Sequence, residues 1–300
     1  MPGAHIRILA VLAVVILLAT PSDAWAWGPT THVKLATDLL SNLSLLPAAV
    51  AALIAAHRRH FAYGNIATDT VLAKKMSRVK QVCHRWTTGF NLLESAESDA
   101  GRAFAFGYLS HLAADTVAHN KFLPRQMAVS RSTVSFGHLY WEIRADALIE
   151  KKHWRMLRSL VHGSYAEPEA MLEHQLSATL LSFKTNRVIF KQVNLLASER
   201  AWRRSVEFWA RMSRHPLDAA VVRDYHRESL DRVIDVLAHG ARSRVLHEDP
   251  NGNAALGCAK AQRKQFRKLK RARLPDHHLI RETAAGHAPA RNRAMTLSVD

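Results

Sequence analysis

The chain has few cysteines. Two in 300 residues, Cys83 and Cys258, are too few for a disulfide scaffold, and no Cys-x-x-Cys pair is present. These absences exclude a small stapled fold and argue against a thiolate zinc site. Cys83 lies beside a candidate ligand histidine and Cys258 lies near the basic C-terminus, so whether the two pair stays open.

Glycine and proline are also scarce, with 12 and 10 residues, and no alternating strand pattern or internal repeat stands out. Long Ala- and Leu-rich periodic stretches fill the body of the chain instead. These features predict an all-α fold and exclude a sheet-based one. The predicted helices cover residues 31–45, 48–60, 102–122, 137–158, 167–183, 198–212 and 217–241.

Long apolar runs are confined to the N-terminus, where residues 8–19 follow Arg7. A membrane-spanning helix needs about 20 such residues, so this run is short. It precedes a small-residue region that ends in Ala24-Trp25-Ala26, as expected of a secretory signal peptide. We predict a signal peptide over residues 1–26, Trp27 as the mature N-terminus, and export to the periplasm or outside the cell. Cleavage before Trp25 and an uncleaved anchor stay open.

Acidic residues are outnumbered: 25 Asp and Glu face 42 Lys and Arg, a formal net charge of +17. Such a charge suits polyanions or membrane surfaces and does not separate lipid from nucleic acid. Residues 260–273 hold eight Lys or Arg, and a breaker cluster at 249–253 precedes them. We predict a domain over 27–245 and a basic, flexible tail over 246–300 that permits peripheral contact with an anionic membrane surface.

Histidines and carboxylates with metal-ligand spacing are abundant. His111 and Asp115 lie four residues apart and therefore share one face of the predicted helix 102–122. His119 lies about 12 Å further along the axis than His111, at 1.5 Å per residue. One ion cannot reach both histidines. The simplest geometry has two neighbouring ions, with Asp115 free to bridge them.

A second pair, His138 and Glu142, repeats the four-residue spacing. With His119 it would form a two-histidine, one-carboxylate site that leaves a coordination position open, as catalytic zinc sites do. Asp69 and His84 are further candidates upstream. Taken alone, each signal has an ordinary structural explanation: a hydrogen-bonded core histidine, an intrahelical pair or a helix cap. Only the ordered set points to a metal centre.

That ordered set resembles the zinc-dependent phospholipase C family. The family includes the N-terminal domain of glycosylphosphatidylinositol-specific phospholipase D and is related to fungal zinc nucleases specific for single strands. The resemblance covers residues 27–154. Nine positions of the family pattern occur in order: Trp27, His32, Asp69, His84, His111, Asp115, His119, His138 and Glu142.

The resemblance implies a single multi-helix domain, all-α, that binds three Zn²⁺ ions. One ion would be held by Asp69, His84, His111 and Asp115. A second would be held by His119, His138 and Glu142, and a third by the amine and carbonyl of Trp27 with His32 and Asp115. Asp69 would also orient the zinc-activated water, and Glu142 would complete the open catalytic site.

Three zinc ions carry six positive charges, and Asp69, Asp115 and Glu142 contribute three negative ones. The cluster keeps a positive surplus, which favours binding of a phosphodiester anion. The resemblance therefore implies a phosphodiester hydrolase, with a phospholipid as its substrate. The short interval from Asp115 to His119 resembles the phospholipase D branch, whereas the Trp27 to His32 opening is nuclease-like. A single-strand nuclease, with nucleic acid as partner, and a non-catalytic zinc-stabilised module are the alternatives.

Overall fold

The computed structural model describes residues 27–70, 82–130, 134–176, 183–196 and 215–271. These residues are helical, with no strand among them, so the all-α prediction is confirmed. Short 3₁₀ turns at Thr68–Thr70 and Val82–His84 interrupt the helices. The α-helices are α1 Pro29–Leu40, α2 Ala48–Ala56, α3 Arg58–Ala67, α4 Trp86–Glu94, α5 Asp99–Val117, α6 Leu123–Ser130, α7 Val134–Asp146, α8 Lys151–His162, α9 Ala166–Gln175, α10 Phe183–Leu196, α11 Ala219–His239 and α12 Asn253–Arg271.

Helix α5 is the central element of the fold. Its first turn is capped by Ser98, whose hydroxyl accepts a hydrogen bond from the Gly101 amide at 3.0 Å. The helix packs against α3, α4 and α11, and nearly all of its residues from Ala103 onward are buried. A helix that is apolar on every side belongs in a core. The side chains of His111 and Asp115, in its last two turns, are therefore enclosed by protein.

Helices α3 and α5 approach each other at Gly64 and Gly107. A Cβ atom at Gly64 would collide with the carbonyl oxygen of Phe104, and one at Gly107 would collide with that of Phe61. Only glycine permits this backbone contact. The close approach brings the residue after Gly64, Asn65, within hydrogen-bonding distance of the side chain of His111.

A π-helical turn, Ala118–Phe122, follows α5 directly, so the predicted helix 102–122 is not regular throughout. The turn is held from outside: Asn120 donates to the carbonyl of Asp249 at 2.9 Å, and the ring of Phe122 stacks on Trp27 at 4.7 Å. Turns of this kind are rare and recur at functional sites. Here the turn carries His119.

Other helix boundaries differ from the predictions. The helix predicted over 31–45 ends at Leu40, and the one over 48–60 is broken at His57, whose φ and ψ of −121° and 41° are not helical. The helix predicted over 137–158 is two helices, which end at Asp146 and restart at Lys151. The segment 198–212 lies outside the described residues. Helices α4, α6, α10 and α12 were not predicted.

The flexible tail predicted over residues 246–300 is corrected by α12. Its residues Leu256, Ala259 and Phe266 are buried, because apolar side chains recur every three to seven positions and form one face against the body. The helix packs against α6 and the π turn. Residues 272–300 lie outside the description. Cys83 is buried and Cys258 exposed on this helix, and the two are not bonded to each other.

The predicted signal peptide, residues 1–26, also lies outside the described residues, so its cleavage stays a prediction. In the part of the chain that the structure describes, every helix is too short or too polar to cross a bilayer. The described part of the chain begins at Trp27, two residues before the start of α1.

Candidate metal centre

Three ligand-type atoms form a nearly equilateral triangle in the core. The Oδ2 atom of Asp115 lies 3.2 Å from Nε2 of His84 and 3.2 Å from Nε2 of His111, and the two nitrogens are 3.3 Å apart. Helix α5 supplies two of these side chains through its four-residue spacing, and the 3₁₀ turn Val82–His84 supplies the third. All three residues are at most 1% exposed.

The size of this triangle fits zinc. Tetrahedral zinc with bonds of about 2.0–2.1 Å places its ligand atoms about 3.3–3.4 Å apart. Asp69, in the 3₁₀ turn Thr68–Thr70, supplies a fourth atom: its Oδ1 lies 3.8 Å from Nε2 of both His84 and His111. The structure thus brings together the four side chains that the family resemblance assigns to the first ion.

The protonation of His111 suits a metal ligand. Its Nδ1 lies 2.8 Å from the carbonyl oxygen of Asn65, which can only accept, so Nδ1 carries the proton. In the neutral ring the lone pair is then on Nε2, the atom that faces the triangle. A backbone carbonyl of this kind fixes both the tautomer and the orientation of the ring, as is usual behind metal-ligating histidines.

Asp115 faces two groups at once. While its Oδ2 belongs to the triangle, its Oδ1 lies 3.3 Å from Nε2 of His32. The ring of His32 stacks on that of His111 with centroids 3.8 Å apart, and both rings are fully buried. His32, Asp69 and His111 also form a group whose ligand atoms lie within 4.8 Å of one another. One carboxylate therefore lies between the His84 and His111 rings on one side and His32 on the other.

The pKa values in this cluster reflect burial and mutual attraction. Burial alone would raise the pKa of Asp115, but the imidazoles of His111, His32 and His84 outweigh it and hold that pKa well below its usual range. Burial would lower the pKa of His111, yet the two carboxylates raise it. Burial and the neighbouring His111 lower the pKa of His32. Asp115 is thus an anion, the form that binds a cation.

The N-terminal segment before α1 is anchored in the core. Trp27 is fully buried; its ring stacks on Phe122, and its Nε1 donates to Ser229 of α11 at 3.2 Å. At the start of α1, the carboxylate of Asp146 accepts hydrogen bonds from the Thr30 amide at 3.1 Å and the Thr31 amide at 3.0 Å. The Thr31 hydroxyl also donates to it, at 2.6 Å. Asp146 therefore caps a helix from a distant part of the chain.

We predict that Asp146→Asn lowers the free energy of unfolding by about 1–3 kcal/mol, because an amide NH₂ then faces backbone donors. Burial already raises the pKa of this carboxyl to about 6, although its three donors favour the anion. Denaturant unfolding measures the effect. The control is Asp38→Asn, whose carboxylate is 35% exposed and pairs with Lys34 in the same helix; it is expected to change stability by less than about 1 kcal/mol. Equal effects of the two variants would contradict the capping role.

The second predicted ligand set is only partly described. Nδ1 of His119 lies 3.9 Å from Oδ2 of Asp115, so this histidine borders the cluster. Glu142 is 2% exposed on α7. The backbone of His138 lies one turn earlier on the same helix, but its side chain lies outside the described residues. The grouping of His119, His138 and Glu142 around one ion stays a prediction.

Three features beside the cluster escaped the sequence analysis. Asp146 is one. The second is His226, whose ring meets Trp27 edge-on at 4.9 Å and whose two nitrogens have no hydrogen-bond partner among the described residues. Burial lowers its pKa to about 3, so it is neutral. The third is the set of contacts made by the turn at residues 248–253, which the sequence identified only as a breaker cluster. None belongs to the ordered pattern, and only tertiary contacts reveal them.

The comparisons with known proteins agree with this centre. Residues 31–207 match the family described as zinc dependent phospholipase C. No curated protein and no solved structure gives a match. The matched region covers more than half of the chain and contains every described ligand candidate except Trp27. By sequence and by the buried cluster of histidines and aspartates, the chain belongs to the zinc-dependent phospholipase C family.

Proposed function

We propose that the protein is a phosphodiester hydrolase of the phospholipase C type with three zinc ions, exported after removal of residues 1–26. One observation carries the proposal: Asp115 presents one oxygen to His84 and His111 and the other to His32. A purely structural site is closed around a single ion. A carboxylate shared by adjacent ligand sets suits a multinuclear hydrolytic centre, where ions a few ångströms apart act together.

The donor set fits the proposed metal. Imidazole and carboxylate are both good zinc ligands. When bound, zinc supplies Lewis acidity and lowers the pKa of a water molecule. The chain's own residues hold and orient: the Asn65 carbonyl fixes the ring of His111, and burial excludes bulk water from the triangle. We propose that Asp69 also accepts a hydrogen bond from the attacking water and that Glu142 belongs to the open catalytic site.

A phospholipid is the proposed substrate. Family membership supports it, and so does the short interval from Asp115 to His119. Helix α12 supplies basic side chains for contact with a membrane surface, since it has seven Lys or Arg and no acidic residue, and Lys260 and Lys264 are exposed. Basic residues near an anionic bilayer contribute about 1 kcal/mol each to binding. A single-strand nuclease is the second candidate, favoured by the spacing of Trp27 and His32.

We predict that the mature protein releases a phosphorylated headgroup from phospholipid in mixed micelles. The measurement compares phosphatidylcholine and phosphatidylinositol with single-stranded DNA and RNA, at equal enzyme and zinc. Glu142→Ala is the matched inactive control, because it removes one of the proposed ligands of the open site.

Two results would contradict this prediction. Nucleic-acid cleavage without release of phosphate ester from lipid would favour the nuclease. Inactivity on every phosphodiester, in protein that retains zinc, would favour a non-catalytic zinc-stabilised module.

A further inference from the structure

The turn at residues 248–253 lies outside the family match, yet it contacts two of the proposed ligand-bearing segments. Near His84, the Nδ2 of Asn251 donates to the His84 carbonyl at 2.9 Å, and the indole of Trp86 donates to the Glu248 carbonyl at 2.9 Å. On the other side, Asn120, the residue after His119, donates to the Asp249 carbonyl at 2.9 Å. The turn therefore joins the His84 segment to the His119 segment.

The turn is held in shape by its own residues. The carboxylate of Asp249 accepts hydrogen bonds from the backbone amide of Asn251 at 2.9 Å and from the backbone amide of Asn253 at 3.0 Å. These bonds outweigh burial and lower the pKa of Asp249. Gly252 has a φ of +59°, and a Cβ there would lie 2.5 Å from the carbonyl oxygen of His119. Only glycine satisfies both the backbone conformation and the space.

His84 and His119 depend on such contacts more than His111 and Asp115 do. His111 and Asp115 lie on the regular helix α5, whose internal hydrogen bonds hold them in register. His84 instead lies in a three-residue 3₁₀ turn, and His119 lies in the π turn. Both irregular segments need support from elsewhere in the fold. The 248–253 turn is packed against each of them.

We propose that the 248–253 turn is a positioning element of the metal centre, in which Asn251 holds His84 and Gly252 holds His119. Its role is to fix the separation of two ligands that belong to different ions in the proposed function, on which the inference rests. Neither residue needs to touch metal or substrate. The centre would thus be completed by a segment beyond the part of the chain that the family match covers.

The first test substitutes Asn251. Asn251→Ala removes the side-chain amide that donates to His84. Asn251→Asp keeps the shape of the side chain but places a carboxylate oxygen, an acceptor, against the His84 carbonyl. Both are expected to lower the affinity for one zinc ion about 10- to 100-fold, the usual effect of losing a group that orients a ligand. Competition with a chelator measures the affinity. Asn253→Ala is the matched control, since it loses a side-chain hydrogen bond to Asp249 in the same turn and leaves the Asn251 bond to the His84 carbonyl in place.

A double-mutant comparison separates positioning from general stability. In a His84→Ala background, Asn251→Ala is expected to have no further effect on zinc affinity, because the imidazole that it positions is gone although the backbone carbonyl remains. Gly252→Ala is expected to lower the affinity for a different zinc ion, and this effect is expected to vanish in a His119→Ala background. Thermal unfolding of the metal-free variants shows that they fold.

The inference and the proposed function fail in different ways. Zinc affinity equal to that of Asn253→Ala in both Asn251 variants, or an undiminished effect in the His84→Ala background, would overturn the positioning role. The proposed function is instead contradicted if the wild-type protein binds no zinc. A wild-type protein that binds zinc, with Asn251 variants that bind it equally well, overturns only the positioning role.

Discussion

Asp115→Asn is expected to lose two zinc ions and to reduce phosphodiester hydrolysis at least about 1,000-fold. The reason is the position of the carboxylate: one oxygen faces His84 and His111, and the other faces His32. An asparagine removes the negative charge that both sides share, its NH₂ group faces one side and cannot bind metal, and its neutral amide oxygen is a much weaker zinc ligand than a carboxylate on the other side. Metal catalysis contributes several kcal/mol, and each 1.36 kcal/mol corresponds to a tenfold change in rate.

The measurement is zinc content per chain, by elemental analysis, beside activity on the preferred substrate. Glu142→Gln is the comparison, because Glu142 is proposed to bind one ion only and is as deeply buried as Asp115. It is expected to lose a single ion. A loss confined to one ion in Asp115→Asn would show that the carboxylate does not bridge.

Retaining one residue before Trp27 is expected to remove one zinc ion and lower activity about 100-fold or more. Trp27 is fully buried between Phe122, Ser229 and His226, so its amine, if it is the N-terminus, lies inside the protein. That amine, with a pKa of about 7.7–8.0, is deprotonated by metal binding. A peptide bond at the same nitrogen abolishes its lone pair as a ligand. The loss of about 3 kcal/mol of metal catalysis gives the rate effect.

N-terminal sequencing of the exported protein establishes the cut, and zinc analysis of the extended form then tests the amine. His32→Ala is the matched variant, since it is proposed to bind the same ion and is expected to reproduce the loss. Extended protein with the same zinc content as protein that begins at Trp27 would exclude the amine as a ligand.

Part of the centre follows from local sequence. The four-residue spacing of His111 and Asp115 predicts a shared helix face, because backbone hydrogen bonds set 3.6 residues per turn wherever a helix forms. The structure confirms this helix, and both side chains are buried in the core of the protein. Scarce glycine and proline likewise predicted the all-α fold. The ordered pattern predicted the remaining candidates, of which Asp69, His84 and His32 do meet the pair on α5.

Local spacing does not determine where every helix begins and ends. The helix predicted over 102–122 opens into a π turn at Ala118, because that segment is shaped by contacts with Trp27 and Asp249 that no local pattern encodes. The basic sequence after Leu246 predicted a solvated tail. Its apolar face instead packs on the body, since a helix with such a face is stabilised by burial despite its charge.

From sequence alone came the helical class and the pairing of His111 with Asp115, because each depends on residue type and on spacing along one element. The inventory of candidate ligands came from the ordered pattern that the chain shares with the family it resembles. Tertiary structure alone decided that Asp115 faces two ligand sets and that Asp146 caps α1. It also brought the 248–253 turn against His84 and His119. These outcomes depend on how helices approach one another, as at Gly64 and Gly107, and such contacts join positions far apart in the chain.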